Sequence, residues 1–235
     1  MKLVVFDVDG TLVDHGRLED DCYVNAFQSV FGWRNIDTDW SRCRHVTDGG
    51  ITREIYQRRC GHPATADEID QVKARFLANY QTGVNRQPGE LRAMPGVREM
   101  LAQLPKRDWR LAVATGAWQS LARFKLATAG VELDGIPFVT GDDSDERETI
   151  MTMAIAAAQR HYRTRQFERV AYVGDAVWDV KVSRVLGLPF LGIGKRHQQL
   201  LAVGATHALP DFNDLFAYWP ALAECGVPVR HSATD

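Results

Sequence analysis

The chain has 235 residues, 45% of them hydrophobic and 25% charged, with 28 Lys and Arg against 30 Asp and Glu and a formal net charge of -2. Those figures describe an ordinary globular chain rather than a disordered or membrane-embedded one, and they lack the basic surplus expected of a nucleic-acid partner. The length suits one large domain or two modest ones.

Leu3-Val4-Val5-Phe6 reads as a short buried strand. It is too short for a signal peptide, and no stretch approaches the roughly eighteen apolar residues of a membrane span. The expected location is therefore the cytoplasm. A polar turn follows from Asp7 to Asp14, and from about Arg17 to about Leu91 the pattern is helical. Tyr23, Ala26, Phe27, Val30 and Phe31 recur at helical spacing and stop at Gly32. Gly49-Gly50 is read as a break, with a second helix opening at Ile51 and Ile55. A third helix over Ala66 to Tyr80 carries Ile69, Val72, Phe76 and Tyr80 on one stripe.

After Pro88-Gly89 the pattern alternates. Helices are expected over Val97–Leu104, Trp118–Ala129, Ile150–Ala158 and Val177–Leu186. Strands are expected at Leu111–Ala114, Ile136–Val139, Val170–Val173, Phe190–Leu191 and, at an edge, His207–Leu209. Such alternation makes the fold class α/β: a Rossmann-like three-layer core with a mainly parallel sheet and helices on both faces. The expected division is a core of residues 1–14 and 92–225, an inserted all-helical domain at 15–91, and a tail at 226–235. The four cysteines, Cys22, Cys43, Cys60 and Cys225, form no C-x-x-C pair and have no histidine at zinc-like spacing, so they are read as plain thiols.

Ligands of parallel sheets bind beyond the carboxyl ends of the strands. Three of those ends carry small, hydroxyl or carboxylate groups: Asp7-Val8-Asp9-Gly10-Thr11-Leu12, Thr115-Gly116, and Gly174-Asp175 with Asp179. Carboxylates gathered in one cleft call for a divalent cation, and a few oxygen ligands suit Mg²⁺. A calcium loop starting at Asp7 is ruled out, because its sixth position would need Gly and its twelfth Glu, whereas Gly10 is fourth and Leu18 twelfth.

In their order and spacing these three segments resemble motifs of the haloacid dehalogenase-like superfamily, and the helical insert resembles the cap of its subfamily I, the phosphoglycolate phosphatase and β-phosphoglucomutase-like branch. The resemblance implies a Mg²⁺-dependent phosphatase for a small phosphorylated metabolite, working through an aspartyl phosphate. In it Asp7 is the nucleophile, and Asp9 is the acid and then the base. Thr115 and Gly116 bind the phosphoryl group. Asp7, the Asp9 backbone carbonyl and Asp175 hold the metal, and Asp179 orients a water or the positive residue. The remaining motif departs from the pattern. Where relatives place a lysine, the segment Asp142 to Thr149 has none, and Arg147 is assigned the charge-clamp role.

Asp9 argues against a dehalogenase, which needs no acid for its leaving group. Lys73, the one lysine between Asp14 and Leu91, lies on a polar helix face and does not suit a Schiff-base phosphonatase. A phosphosugar mutase and a non-enzymatic phosphometabolite-binding module remain the alternatives. In the insert, Thr47-Asp48-Gly49-Gly50 reads equally as a plain helix start or as a substrate contact. Arg42, Arg44, His45 and Arg53 are surface charges or readers of a second anionic group, and Trp33 and Trp40 are read as core.

Overall fold

The computed structural model describes residues 1–16 and 18–229. Its architecture starts from β1 (Lys2–Phe6), where every apolar side chain has a core to enter. Val4 and Phe6 point into one cluster of buried residues and Leu3 and Val5 into another. A strand that is apolar at every position is one buried on both faces. The other strands are β2 (Val13–Asp14), β3 (Arg92–Ala93), β4 (Trp109–Ala114), β5 (Phe138–Val139), β6 (Val170–Gly174), β7 (Phe190–Ile193) and β8 (His207–Leu209). Six of them form a parallel sheet in the order β5-β4-β1-β6-β7-β8. Phe6 lies opposite Val113 on one side and Val173 on the other. The chain fills the sheet outward from β1 to β5, then returns to β1's other flank with β6. Strand order thus reverses at β1, and a crevice opens at the carboxyl ends of β1, β4 and β6.

The helices are α1 (Leu18–Phe31), α2 (Asp48–Cys60), α3 (Ala66–Arg86), α4 (Val97–Gln103), α5 (Gln119–Thr128), α6 (Arg147–His161), α7 (Val177–Leu186), α8 (His197–Ala202) and α9 (Leu215–Glu224). One face of the sheet is covered by α6 and α7 through Ile150, Ala154, Val180 and Val182. The other is covered by α4, α5 and α9 through Met100, Leu121, Leu126 and Leu222. That second core continues into α1 and α3, where Tyr23, Phe27, Phe76 and Tyr80 are buried. No helix is long and apolar enough to cross a membrane among the described residues.

Several local expectations need correction. Gly49 and Gly50 lie inside α2, which begins at Asp48 with Thr47 as its N-cap, the Thr47 side chain accepting from Gly50 N–H at 3.1 Å. The glycines serve close approach instead: a Cβ on Gly49 would lie 2.7 Å from an Asp145 carboxylate oxygen, and one on Gly50 2.8 Å from the His45 carbonyl. α3 runs on to Arg86 and starts with a capping box of Thr65 and Glu68. β5 is shorter than expected, and α8 and α9 were not read from the pattern. The two-residue strands β2 and β3 pair antiparallel, Val13 with Ala93 and Asp14 with Arg92, which brings together the two ends of the segment carrying α1 to α3. Of the expected tail, residues 226–229 are held by hydrogen bonds, Gly226 N–H to Thr206 Oγ1 at 2.8 Å and Val229 N–H to the Gly204 carbonyl at 3.0 Å. Residues 230–235 lie outside the described residues, as does Arg17.

Candidate active site

The carboxyl end of β1 delivers Asp7 into the crevice, its N–H bonded to the Val173 carbonyl at 3.0 Å. The side chain is 2% exposed, and its Oδ1 has no hydrogen-bond partner among the described residues. A buried polar atom without a partner costs stability, so its retention points to a ligand. Burial and then the Asp179 charge push the Asp7 carboxyl well above its ordinary range. The chain then turns tightly, with Gly10 N–H bonded to the Val13 carbonyl and Gly10 at φ +70°. A Cβ there would sit 2.2 Å from an Asp175 carboxylate oxygen. Gly10 therefore both makes the turn and lets Asp175 approach.

Asp175 follows β6. Burial and then Asp179 raise its carboxyl to about 7, and Arg196 donates to it at 3.3 Å. Asp179, in the first turn of α7, is completely buried. It accepts from Arg147 Nη1 at 2.9 Å, Tyr172 Oη at 2.7 Å and Ala176 N–H at 3.0 Å. Asp7, Asp175 and Asp179 each offer an oxygen within 4.8 Å of the others. Two raised carboxyls and an orphaned oxygen in an all-oxygen cluster fit a hard divalent cation. Asp179 has three donors already and is better suited to hold Arg147 than to bind a metal.

Arg147 opens α6 and turns inward. Its Nε donates to the Val46 carbonyl at 2.6 Å, and the guanidinium lies over the Trp178 ring at 5.8 Å. Burial alone would lower its pKa, but Asp179 and Asp7 outweigh that and raise it. Gly116 makes room, since a Cβ there would be 2.7 Å from Arg147 Nη2. Thr115 sits at the end of β4, buried, its Oγ1 accepting from Ala117 N–H at 3.3 Å. Gly116 lines the cavity described below and Thr115 does not.

Asp9 is placed differently from the other carboxylates. Its Oδ1 meets Lys125 Nζ at 2.6 Å, and the same ammonium reaches Glu19 Oε1 of α1 at 2.7 Å. Burial would raise the Asp9 carboxyl, but the Lys125 charge outweighs it and holds it below its usual range. Lys125 is fully buried on α5, and its two carboxylates raise its pKa despite that burial. From the sequence Lys125 has no role beyond that of a substitute for Arg147, and Glu19 has none, though a signal was there. Lys125 falls on the same buried stripe as Leu121, Ala122 and Leu126, and Glu19 lies four residues before the buried Tyr23.

These groups open onto a cavity of about 210 Å³ between the strand ends and α1 to α3. The segment from Val46 to Asp48 closes it, with Asp48 N–H on the Gly116 carbonyl at 2.9 Å and Trp118 N–H on an Asp48 carboxylate oxygen at 2.8 Å. Arg42, Arg44, His45 and Arg53 do not line this cavity, and Arg53 pairs with Asp145 at 2.7 Å.

Residues 1–187 match the sequence profile of a family described as haloacid dehalogenase-like hydrolase. The chain is 26% identical over 233 residues to a phosphoglycolate phosphatase from Agrobacterium fabrum, covering 94% of this chain and 92% of that one. Among solved structures, a hydrolase from Pseudomonas syringae is similar with a TM-score of 0.71 at 21% identity, covering 92% of this chain and 97% of that chain. CbbY from Rhodobacter sphaeroides in complex with phosphate is similar with a TM-score of 0.66 at 21% identity, over 94% and 98%. At that identity the structural likeness speaks for the fold.

Proposed function

The chain belongs to the haloacid dehalogenase-like hydrolase family, and from that premise we propose that it is a phosphatase of small phosphate monoesters with Asp7 as nucleophile. The observation that carries the reading is Asp7 itself: a buried carboxylate with an unpartnered oxygen, facing a cavity at the strand-order reversal, with Arg147 across from it.

In the reaction an Asp7 carboxylate oxygen attacks phosphorus, and the ester P–O bond breaks. The departing alkoxide takes a proton from Asp9, whose carboxyl must carry that proton in the substrate complex against the pull of Lys125, which otherwise holds it below its usual range. Asp9, now a carboxylate, takes a proton from the water that attacks the aspartyl phosphate. The bond from phosphorus to Asp7 breaks, and phosphate leaves with the Asp7 carboxylate restored. One ester and one water become one alcohol and one phosphate. Arg147 neutralises charge that develops on the phosphoryl oxygens, where a preorganised donor contributes most. Asp179, itself held by Tyr172 Oη and Ala176 N–H, fixes the guanidinium's direction by accepting from Arg147 Nη1. The Gly116 amide completes the phosphoryl pocket, and the Thr115 hydroxyl, buried just behind the cavity wall, would donate to the bound phosphoryl group.

Asp7, Asp175 and the Asp9 carbonyl would hold Mg²⁺, which when bound offsets the charge of the aspartates and the phosphoryl group. We further propose that residues 15–91 act as a cap on a core made of 1–14 and 92–225. The test is release of phosphate from a panel of monoesters, abolished by EDTA and restored by Mg²⁺. Absence of release from every ester, p-nitrophenyl phosphate included, would remove the reading.

A further inference from the structure

The cavity's two walls differ in charge. Its arginines, Arg147 and Arg196, come from the strand-end side. The wall built from α1 to α3 presents three carboxylates, Glu19, Asp20 and Asp48, and three rings, Tyr23, Trp40 and Phe76, and no lysine or arginine among the described residues. Among the described residues His15 is the one basic side chain lining that wall, 3.1 Å from Glu19. Glu19 shares Lys125 with Asp9, so one ammonium serves two carboxylates.

The other two acids have neutral donors. Asp20 accepts from Trp40 Nε1 at 2.8 Å and Asp48 from Trp118 N–H at 2.8 Å, and neither has an ion-pair partner among the described residues. Burial, then the Glu19 charge, pushes Asp48 up to about 7, with Lys125 pulling the other way. The rings are packed on one another, Tyr23 with Phe76 at 4.8 Å and Tyr23 with Trp40 at 5.6 Å between centroids. That this cavity takes a ligand rests on a separate observation, the buried and unpartnered Asp7 Oδ1 on the opposite wall.

We infer that the alcohol part of the substrate carries a positively charged amine, so that the enzyme acts on amino-alcohol phosphates. The inference rests on the phosphatase reading for the position of the phosphoryl group at Asp7, which turns the alcohol part toward the helical wall. An ammonium there meets carboxylates and aromatic faces, both of which attract a desolvated cation. A carboxylate or a second phosphate on the alcohol would face Asp20 and Asp48, with the nearby Lys125 already shared between Asp9 and Glu19, and like charges discriminate strongly in such a site. This sets the chain apart from what a phosphoglycolate or a sugar bisphosphate would demand of the same wall.

The test is calorimetric binding of phosphoethanolamine, ethyl phosphate and phosphoglycolate to Asp7→Asn protein with Mg²⁺, which reads recognition without turnover. Phosphoethanolamine should bind roughly tenfold tighter than ethyl phosphate, and phosphoglycolate more weakly than either. Asp48→Asn in the same background should narrow the gap between the first two several-fold, and Asp20→Asn, at an exposed position, should do so if the Asp48 variant does not fold. Equal binding of the three overturns the inference. So does tighter binding of phosphoglycolate, and loss of that advantage in Arg196→Ala would name Arg196 as the anion reader. Binding of none of them overturns the inference and the phosphatase reading together. A cation preference in a wild-type protein that releases no phosphate would leave the inference standing and remove the reading.

Discussion

The strand-end wall of the cavity and its helical wall are built on different principles. On the strand-end side each side chain is held by backbone that has no alternative. Asp7, Thr115 and Asp175 follow three adjacent parallel strands, and at Gly10 and Gly116 an added Cβ would strike Asp175 and Arg147. On the helical side, carboxylates and rings project from helices that meet the core through a shared apolar cluster and a few polar contacts. These include Lys125 with Glu19, Trp118 N–H with Asp48 and Lys73 with Asp142. Rigid placement suits groups that must meet a reacting atom within tenths of an ångström. A wall carried on separate helices can change its side chains, and so the ligand's alcohol part, without disturbing that placement.

The largest effect should come from the rigid wall. Asp7→Asn is nearly isosteric at a strand end and should lower kcat by more than about a thousandfold on every ester, with a urea midpoint no lower than the wild type's, since the buried carboxylate is disfavoured there. Retention of substantial turnover would dissolve the distinction between the walls at once. Arg147→Ala should lower kcat by about a hundredfold, again regardless of the alcohol. Arg147→Lys should recover part of it, since the charge survives but the paired reach to Asp179 and the Val46 carbonyl does not. An alcohol-dependent loss in Arg147→Ala would place this residue functionally with the helical wall. Asp175→Ala should raise the Mg²⁺ needed for half-maximal rate by at least about tenfold, and an unchanged metal titration would exclude it as a ligand.

The smaller effects concern how the two walls are joined. Lys125→Met leaves Asp9 and Glu19 facing one another without their cation, and such a broken buried pair costs about 3–5 kcal/mol, readable as a shift in the urea transition. Lys73→Ala removes a pair that is more than a quarter exposed on both sides, and should cost no more than about 1 kcal/mol. Equal costs for the two lysines would mean that the buried junction adds no more than the exposed pair to the apolar packing that joins the helices to the core.

How far the sequence could be read follows the same division. The strand-end wall is local in sequence: an apolar run and a small-residue turn recur three times, two of them with acids, so the positions of Asp7, Asp9, Asp175 and Asp179 were all legible. Arg147 was legible by elimination, as the cation available at the start of α6. The helical wall is long-range. Nothing near Glu19 in the chain reveals that Lys125, 106 positions on, will share it with Asp9. Gly49-Gly50 looked like a break because glycine weakens a helix interior, and only the packing against Asp145 and His45 shows why the helix keeps it. The β2–β3 ribbon, two residues a side, is too short for any periodicity to register.

The central claim, that Asp7 becomes phosphorylated, has one direct measurement. Wild-type protein mixed with an ester labelled in its phosphoryl group and quenched in acid within a turnover should carry the label on the peptide containing Asp7. Hydroxylamine should release that label, and Asp7→Asn protein should show none. A burst of free alcohol with no label on the protein, or label on a peptide other than that of Asp7, would contradict the account.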